Sequence, residues 1–488
     1  MTRQIDRPPA WVADAIFYQI FPDRFASSDR VDKPPNLEDW DSPPTIFGYK
    51  GGDLLGIAEK LDYLVDLGIN ALYLNPIFSS ASNHRYHTWD YYQIDPMLGG
   101  EAAFDELLDA CHGSGIRVVL DGVFNHCGRG FLRFNDLLEN GESSAWLDWF
   151  IIESWPLHAY DGKHPGYQAW WGNAALPKFN TDNPQVAEYL LNIGEYWARR
   201  GIDGWRLDVP NEITTEGFWE QFRERVRAIN PDLYIVGEIW EDATDWIVRG
   251  DRFDGTMNYH FGGRTIAFTA GDRVNAQLAA GLPFPVAPAL DAPAYGDAVE
   301  ELLGRYPRHA HLANLNLLGS HDTARVLSVA GGDIDSVILS TLLNFTFPGA
   351  PSIYYGDEIG LSGGNDPGSR GAFPWKRTDL WNDRLLRAHR SLVALRRKHR
   401  VLRHGEYRRL PAEDGSSLYT FVMEDGQEQL LIAVNTSDLG SSATIVDELL
   451  GTGFRTLWGT GGIKSTDGEI HIALAPRTGA VWEITGNR

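Results

Sequence analysis

Apolar residues recur at helical spacing, a glycine follows, and a short β-rich run then ends in polar residues; this unit repeats along the chain. In one copy Ile57, Leu61 and Leu64 lead through Gly68 to Ala71-Leu72-Tyr73-Leu74-Asn75. In the next, Phe104, Leu107, Leu108 and Cys111 precede Gly115, and Val118-Val119-Leu120 runs into Asp121-Gly122-Val123-Phe124-Asn125-His126. A third helix is predicted with Asn183 as N-cap, Pro184 in the first turn, and Val186, Tyr189, Leu190, Ile193 and Trp197 on one face. Its strand is Gly204-Trp205-Arg206-Leu207-Asp208-Val209. A fourth helix, through Phe218, Phe222, Val226 and Ile229, leads to Tyr234-Ile235-Val236-Gly237-Glu238-Ile239-Trp240. Strands read at Ile16 to Phe21, Phe253 to Tyr259, Leu315 to Asp322 and Ser352 to Asp357 complete a set of eight. Strands alternating with helices of this length predict a parallel sheet with helical crossovers.

Two stretches break the rhythm. Residues 127–182 separate the third strand from its helix, far more than the usual loop of about 2–6 residues, and read as an inserted subdomain. After a basic helix end at Arg396-Arg397-Lys398, short strands follow, with Asp-Gly turns at 414–415, 425–426 and 467–468. No Gly-rich phosphate loop follows the first strand, where Phe21-Pro22-Asp23-Arg24-Phe25 stands, which argues against an open doubly wound sheet. The α/β reading is a (β/α)8 TIM barrel over 1–126 and 183–400, with an insert at 127–182 and a C-terminal antiparallel β-sandwich at 401–488.

A formal charge of −23 disfavours nucleic acid and anionic membrane surfaces as partners and suits a neutral ligand. The start, from Met1 to Pro9, has no apolar core of signal-peptide length, and no later run approaches the roughly 20 apolar residues of a membrane span. Cys111 and Cys127 are too few for a disulfide framework, so a cytoplasmic location is expected.

The chemistry-bearing residues gather at the ends of several strands, where barrel enzymes keep their sites. Side chains alternate across a strand, so Arg206 and Asp208 share a face, and the cation keeps Asp208 ionised as a nucleophile requires. Glu238 ends the next strand; a neighbouring negative charge favours its protonated form, as a proton donor needs. Taken singly, Arg-x-Asp on a strand is more often a salt bridge and a strand-end Glu a cap. Here they come together with Asp121 and His126, and with His321 and Asp322.

These motifs resemble those of the α-amylase family of glycoside hydrolases: Asp121 to His126, Gly204 to Asp208, Gly237-Glu238-Ile239-Trp240 and Ser320-His321-Asp322-Thr323, in the family's order across nearly the whole chain. The resemblance implies that Asp208 is the nucleophile, Glu238 the acid/base and Asp322 a third carboxylate gripping sugar hydroxyls, with His126, Arg206 and His321 as hydrogen-bonding partners around the bond to be cleaved and Trp240, Asn211 and Glu212 as substrate-binding residues. Asn211-Glu212, Leu176-Pro177-Lys178-Phe179-Asn180 and Ser82-Asn83-His84-Arg85-Tyr86 are similar to the neopullulanase, cyclomaltodextrinase and maltogenic amylase subgroup. That likeness implies that Tyr86 stacks on the sugar beside the cleaved bond and that Asp366 and Arg370 bind a sugar further along. For Tyr86 a place in the core is an equal reading of the residue itself. Subgroup members carry an extra N-terminal β domain, whereas here the first barrel strand is read from Ile16, a short form similar to small debranching amylases. Pro210 stands where alanine is more usual and Glu241 where histidine often follows the motif.

The implied reaction is retaining hydrolysis of α-1,4 and α-1,6 bonds in malto-oligosaccharides, cyclodextrins or branched glucans. The alternatives are glucosyl transfer by the same chemistry and a non-catalytic carbohydrate-binding barrel; retention of all three carboxylates argues against the latter. The partner is an α-glucan, and a monomer or homodimer is expected. Some amylases bind calcium through an asparagine matching Asn125, but Asn135 and Asp136 form no regular calcium loop, so no metal ligand is assigned and no cofactor is required. Trp146, Trp149, Trp155, Trp170 and Trp171 are read first as the insert's core and second as sugar platforms. His309 and His311, at a strand-like spacing, are read as structural.

Overall fold

The computed structural model describes residues 7–280, 282, 284–447 and 450–485; the opening Met1 to Asp6, part of the signal-peptide reading, lies outside the described residues. Eight strands close into a barrel: β1 (Phe17–Ile20), β2 (Ala71–Leu74), β3 (Arg117–Gly122), β4 (Gly204–Leu207), β5 (Tyr234–Gly237), β6 (Gly255–Asn258), β7 (Leu315–Asn316) and β8 (Ala350–Tyr354). Neighbours around the ring are neighbours in sequence, the order right-handed βα crossovers produce. Where a barrel is filled inside and covered by helices outside, both faces of each strand are apolar or buried; β1, β2 and β4 to β8 are buried at every position.

By internal contacts the chain resolves into two compact units, one mainly of residues 18–65 and 70–256, the other of 10–17, 66–69 and from 257 onward. In the first, the helix Pro184–Arg199 starts as its sequence predicts: the Asn183 side chain accepts from the Gln185 N–H, and Pro184 fills a position whose amide needs no partner. Its apolar face buries Val186, Leu190, Ile193 and Trp197, the last stacked on Phe78 with ring centroids 5.0 Å apart. The stripe through Ile57, Leu61 and Leu64 is not one helix but two, Leu54–Ala58 and Leu61–Leu67. The segment 127–182 carries the helix Leu132–Asn140 and short 3-10 turns at Gly141–Ser143, Leu147–Trp149 and Trp170–Gly172, tied by isolated bridges such as His126 with Lys178 and Phe150 with Phe179.

In the second unit β7 is only two residues long, so most of the run read as a strand from Leu315 to Asp322 is irregular loop that carries His321 and Asp322. His309 and His311 sit on a helix, Arg308–Ala313, rather than on a strand; His311 is fixed by a 2.9 Å hydrogen bond between its Nε2 and the Leu303 carbonyl. Arg396, read from sequence as part of a basic helix end, is buried, and its Nη1 donates to the carbonyls of Phe345, Phe347 and Leu402 at 2.9, 3.2 and 2.9 Å. Carbonyl partners take up its Nη1 protons without neutralising it, and burial pulls its pKa down to about 9.

Eight further strands run from β9 to β16: Glu406–Arg409, Leu418–Glu424, Gln429–Asn435, Ser441–Val446, Gly453–Gly459, Gly462–Thr466, Glu469–Leu474 and Thr478–Thr485. They form antiparallel sheets in the orders β9-β10-β11-β16-β13 and β12-β15-β14. Leu418, Val422, Leu431 and Trp482 of one sheet share a core with Ile445, Ile470 and Ile472 of the other, which makes a sandwich. The Asp-Gly pair between β14 and β15 has φ of +52° and +83°, the left-handed pair that a tight two-residue hairpin needs.

Candidate active site

Strand register assembles the site. In β3 and β4, Asp121 is paired with Arg206, and in β4 and β5, Leu207 is paired with Gly237. The ladder continues one step past each strand: the Asp208 amide donates to the Gly122 carbonyl at 3.0 Å and the Glu238 amide to the Leu207 carbonyl at 2.9 Å. Asp208 and Glu238 are therefore level with each other on adjacent strand ends, and Asp121 and Arg206 lie side by side beneath them.

The Arg206 guanidinium is fully buried and serves three carboxylates. Its Nη1 donates to Asp121 Oδ1 and Oδ2 at 2.8 and 3.0 Å and to Asp208 Oδ1 at 3.0 Å, and its Nη2 is ion-paired with Glu238 Oε1 at 2.6 Å. The cation that sequence reasoning assigned to Asp208 alone is thus shared, because the parallel register brings a carboxylate from each flanking strand within reach. Burial works against the Arg206 charge, but Asp121 and Glu238 outweigh it and hold its pKa well above the ordinary value. Burial likewise raises the pKa of Asp121 against the pull of Arg206 and of the hydroxyls of Tyr73 and Tyr86.

Those hydroxyls donate to Asp121 Oδ2 at 2.7 and 2.8 Å, and Asn75 Nδ2 donates to the Tyr86 oxygen at 3.1 Å. Tyr86 is half-buried, so its tip is anchored while part of the ring is open. Tyr73, Asn75 and Gln19, whose amide donates to Asn75 at 3.1 Å, were not singled out from the sequence. Their signal was available: Tyr73 and Asn75 are two apart at a strand end and point inward together.

Directly after Asp208, Val209 takes φ +35° and ψ +51°, and its amide donates to Glu238 Oε2 at 3.1 Å. A β-branched residue in left-handed backbone is strained, and here the strain aims an N–H at a neighbouring carboxylate. Pro210–Glu212 forms a short helical turn, held by Trp219 Nε1 on the Pro210 carbonyl at 3.0 Å. Asn211 and Glu212 are half-buried, and Lys178 Nζ donates to the Glu212 carbonyl at 2.9 Å and lies 3.3 Å from its carboxylate. Trp240, two residues beyond Glu238, is half-buried.

His126 is buried beside the insert. Burial lowers its pKa to about 3, with the nearby His87 and Lys178 adding to the effect, and burial lowers that of His87 to about 4. Both rings are therefore neutral from pH 8 down to pH 5, and their histidine NMR resonances should stay flat over that range; a midpoint above pH 6 for either would contradict the burial. Because an unfolded histidine titrates near 6.5, neutral His126 contributes stability above that pH, and the contribution is lost as pH falls toward about 3.

The second unit holds a separate cluster. Asp322 is exposed, with Oδ2 at 3.1 Å from His321 Nε2 and Oδ1 at 3.3 Å from Arg370 Nη2. Arg370 also donates from Nε to the His321 carbonyl at 3.0 Å and pairs through Nη1 with Asp366 at 3.0 Å. All four residues expected from sequence in this region are joined.

The chain matches the family described as "Alpha amylase, catalytic domain" over residues 19–383. It belongs to the α-amylase family of glycoside hydrolases. The debranching enzyme of Nostoc punctiforme is 52% identical, with a TM-score of 0.90 over 98% of this chain and 99% of that one. A cyclomaltodextrinase from a Bacillus species is 45% identical over 436 residues, 89% of this chain and 75% of the relative. The cyclic α-maltosyl-(1→6)-maltose hydrolase of Arthrobacter globiformis is 39% identical, with a TM-score of 0.86 over 98% of this chain and all of that one. As an α-amylase family member the chain is an α-glucan hydrolase, and the barrel and sandwich read from its sequence are the family's fold.

Among the described residues no group of three His, Cys, Asp or Glu side chains is placed to hold a metal, and no helix is long and apolar enough to cross a membrane. Asp136, one of the oxygens considered for calcium, is engaged by Ser144 Oγ at 2.6 Å and Asn140 Nδ2 at 3.0 Å. Cys111 and Cys127 are buried and unpaired with each other.

Proposed function

We propose that the chain cleaves short, cyclic or branched α-glucans with retention, with Asp208 as nucleophile, Glu238 as acid/base and Asp322 as the carboxylate that grips ring hydroxyls. The observation that carries this reading is the buried Arg206 guanidinium shared by Asp121, Asp208 and Glu238. It keeps Asp208 anionic for attack on the anomeric carbon. Two carboxylates on one guanidinium suit the short spacing of a retaining pair, about 5–5.5 Å, rather than the wider gap that admits a water between them.

Asp208 Oδ attacks as Glu238 passes its proton to the departing glycosidic oxygen, leaving a glucosyl ester on Asp208. The ester carries no charge, so Glu238 loses a negative neighbour and accepts a proton less readily, while Arg206 and the Val209 N–H stabilise its carboxylate. It then takes a proton from the incoming water, which displaces Asp208 and restores the α-anomer. Tyr86 and His126 offer contacts to the ring at the cleaved bond, Arg370 and Asp366 to a ring further along, and Asn211, Glu212 and Trp240 to the leaving side. Both steps use side chains alone and call for no cofactor. Two buried thiols without a bridge suit a reducing compartment, and the cytoplasm is the location we propose.

The names of the relatives, a cyclomaltodextrinase, a debranching enzyme and a hydrolase of a cyclic (1→6)-linked maltose dimer, support cyclic and α-1,6-linked substrates beside linear ones. Incubation with maltotriose, β-cyclodextrin and pullulan, with product anomers resolved by NMR, should give α-anomers first. No sugar release, or a β-anomer as first product, would overturn the assignment.

A further inference from the structure

We propose that Trp171 is a stacking platform for a substrate glucose ring remote from the cleaved bond, and that it makes the enzyme favour longer α-glucans. The proposal rests on the α-glucan reading above and deepens it. Of the five insert tryptophans, the core reading holds for Trp149, which is 4% exposed and packs edge-on against Trp146 at 5.3 Å and under the Arg133 guanidinium at 4.1 Å. Trp171 is 84% exposed. One of its faces lies against Trp170, with centroids 4.7 Å apart and planes within 9°, so the opposite face is open.

The stack does not end there. Trp170 lies in turn over the His126 ring, at 5.5 Å and 26°. Three rings therefore run from the third strand's end, where His126 stands among the site residues, out to the surface of the insert. Along this run two buried nitrogens, His126 Nε2 and Trp170 Nε1, have no hydrogen-bond partner among the described residues. Buried donors and acceptors are almost always paired, and sugar hydroxyls are partners of the right chemistry.

Trp171 is also held in place at a cost. Its backbone is left-handed, φ +50° and ψ +29°, a conformation bulky residues rarely adopt. The loop enforces it: Gly172 donates to the Ala169 carbonyl at 3.0 Å, Asn173 to Trp170 at 3.0 Å, Leu176 to Asn173 at 2.8 Å and Trp170 to Leu176 at 3.0 Å. A large apolar ring that is strained and rigidly presented with one face exposed gains little from folding beyond its stack on Trp170. It does gain when the apolar C–H face of a pyranose covers it.

Trp171→Gly removes the ring and suits the left-handed backbone, so the fold is kept. On the substrate pair maltotriose and maltoheptaose, we expect KM for maltoheptaose to rise roughly tenfold with kcat within about twofold, and both constants for maltotriose to stay within about twofold. Trp171→Phe should restore most of the maltoheptaose KM. Equal changes for the two sugars, or an unchanged maltoheptaose KM, would overturn the platform. Calorimetric binding of maltoheptaose in the inactive Asp208→Asn background reads the same difference without turnover: equal affinities with and without Trp171→Gly would refute the platform, whereas a wild-type protein that releases no sugar from maltoheptaose would refute the hydrolase reading.

Discussion

Asp208→Asn should lower kcat on maltotriose by on the order of 10⁴, about 5–6 kcal/mol of transition-state stabilisation, with little change in substrate affinity. The amide cannot form the glycosyl ester, yet it remains a hydrogen-bond acceptor for Arg206 Nη1, which now sits 3.0 Å from Asp208 Oδ1. Asp121 still neutralises the guanidinium, so the urea midpoint should move little. Glu238→Gln should be as slow on maltotriose but should keep ester formation from a maltosyl fluoride, whose leaving group needs no proton. Steady-state and burst kinetics on the two substrates separate the roles. Wild-type rates for Asp208→Asn, or equal losses on both substrates for Glu238→Gln, would remove these residues from the proposed pair.

Arg206→Met should destabilise the fold by about 3–5 kcal/mol at pH 7 and abolish activity, because three buried carboxylates lose their common cation. Without it their folded-state pKa values rise, Asp121 from a level that burial has already raised, and stand above those of the unfolded chain. The folded protein then holds protons that the unfolded chain releases, so the deficit is small below about pH 4 and grows as pH increases. Urea midpoints from pH 4 to pH 8 test this, and the double variant Arg206→Met/Asp121→Asn should recover part of the loss without recovering activity. A pH-independent deficit below about 1 kcal/mol would mean that the three acids do not depend on Arg206.

The barrel was legible because its signal is local. Glycine-punctuated helices followed by apolar runs place the starts of β2 to β5 within a residue, and Asn183 with Pro184 marks the start of its helix. Where local signal is weak the reading failed: β7 pairs with both neighbours only at Leu315 and Asn316, and the Leu54–Leu67 stripe breaks although its periodicity does not. Composition also misassigned Trp171: a tryptophan in a small subdomain belongs, on average, inside, and here it is exposed.

From the sequence alone came the residue types at the strand ends, their order, and a two-residue spacing that sets Arg206 and Asp208 on one face. Only the folded chain decided that Arg206 serves Asp121 and Glu238 as well, since register between β3, β4 and β5 is set by long-range pairing that no local pattern encodes. The same holds for the strained Val209 amide on Glu238 and for the ring stack ending at Trp171. The Val209 amide on Glu238 and the Trp170 ring over His126 each join segments far apart in sequence, and only packing brings them together.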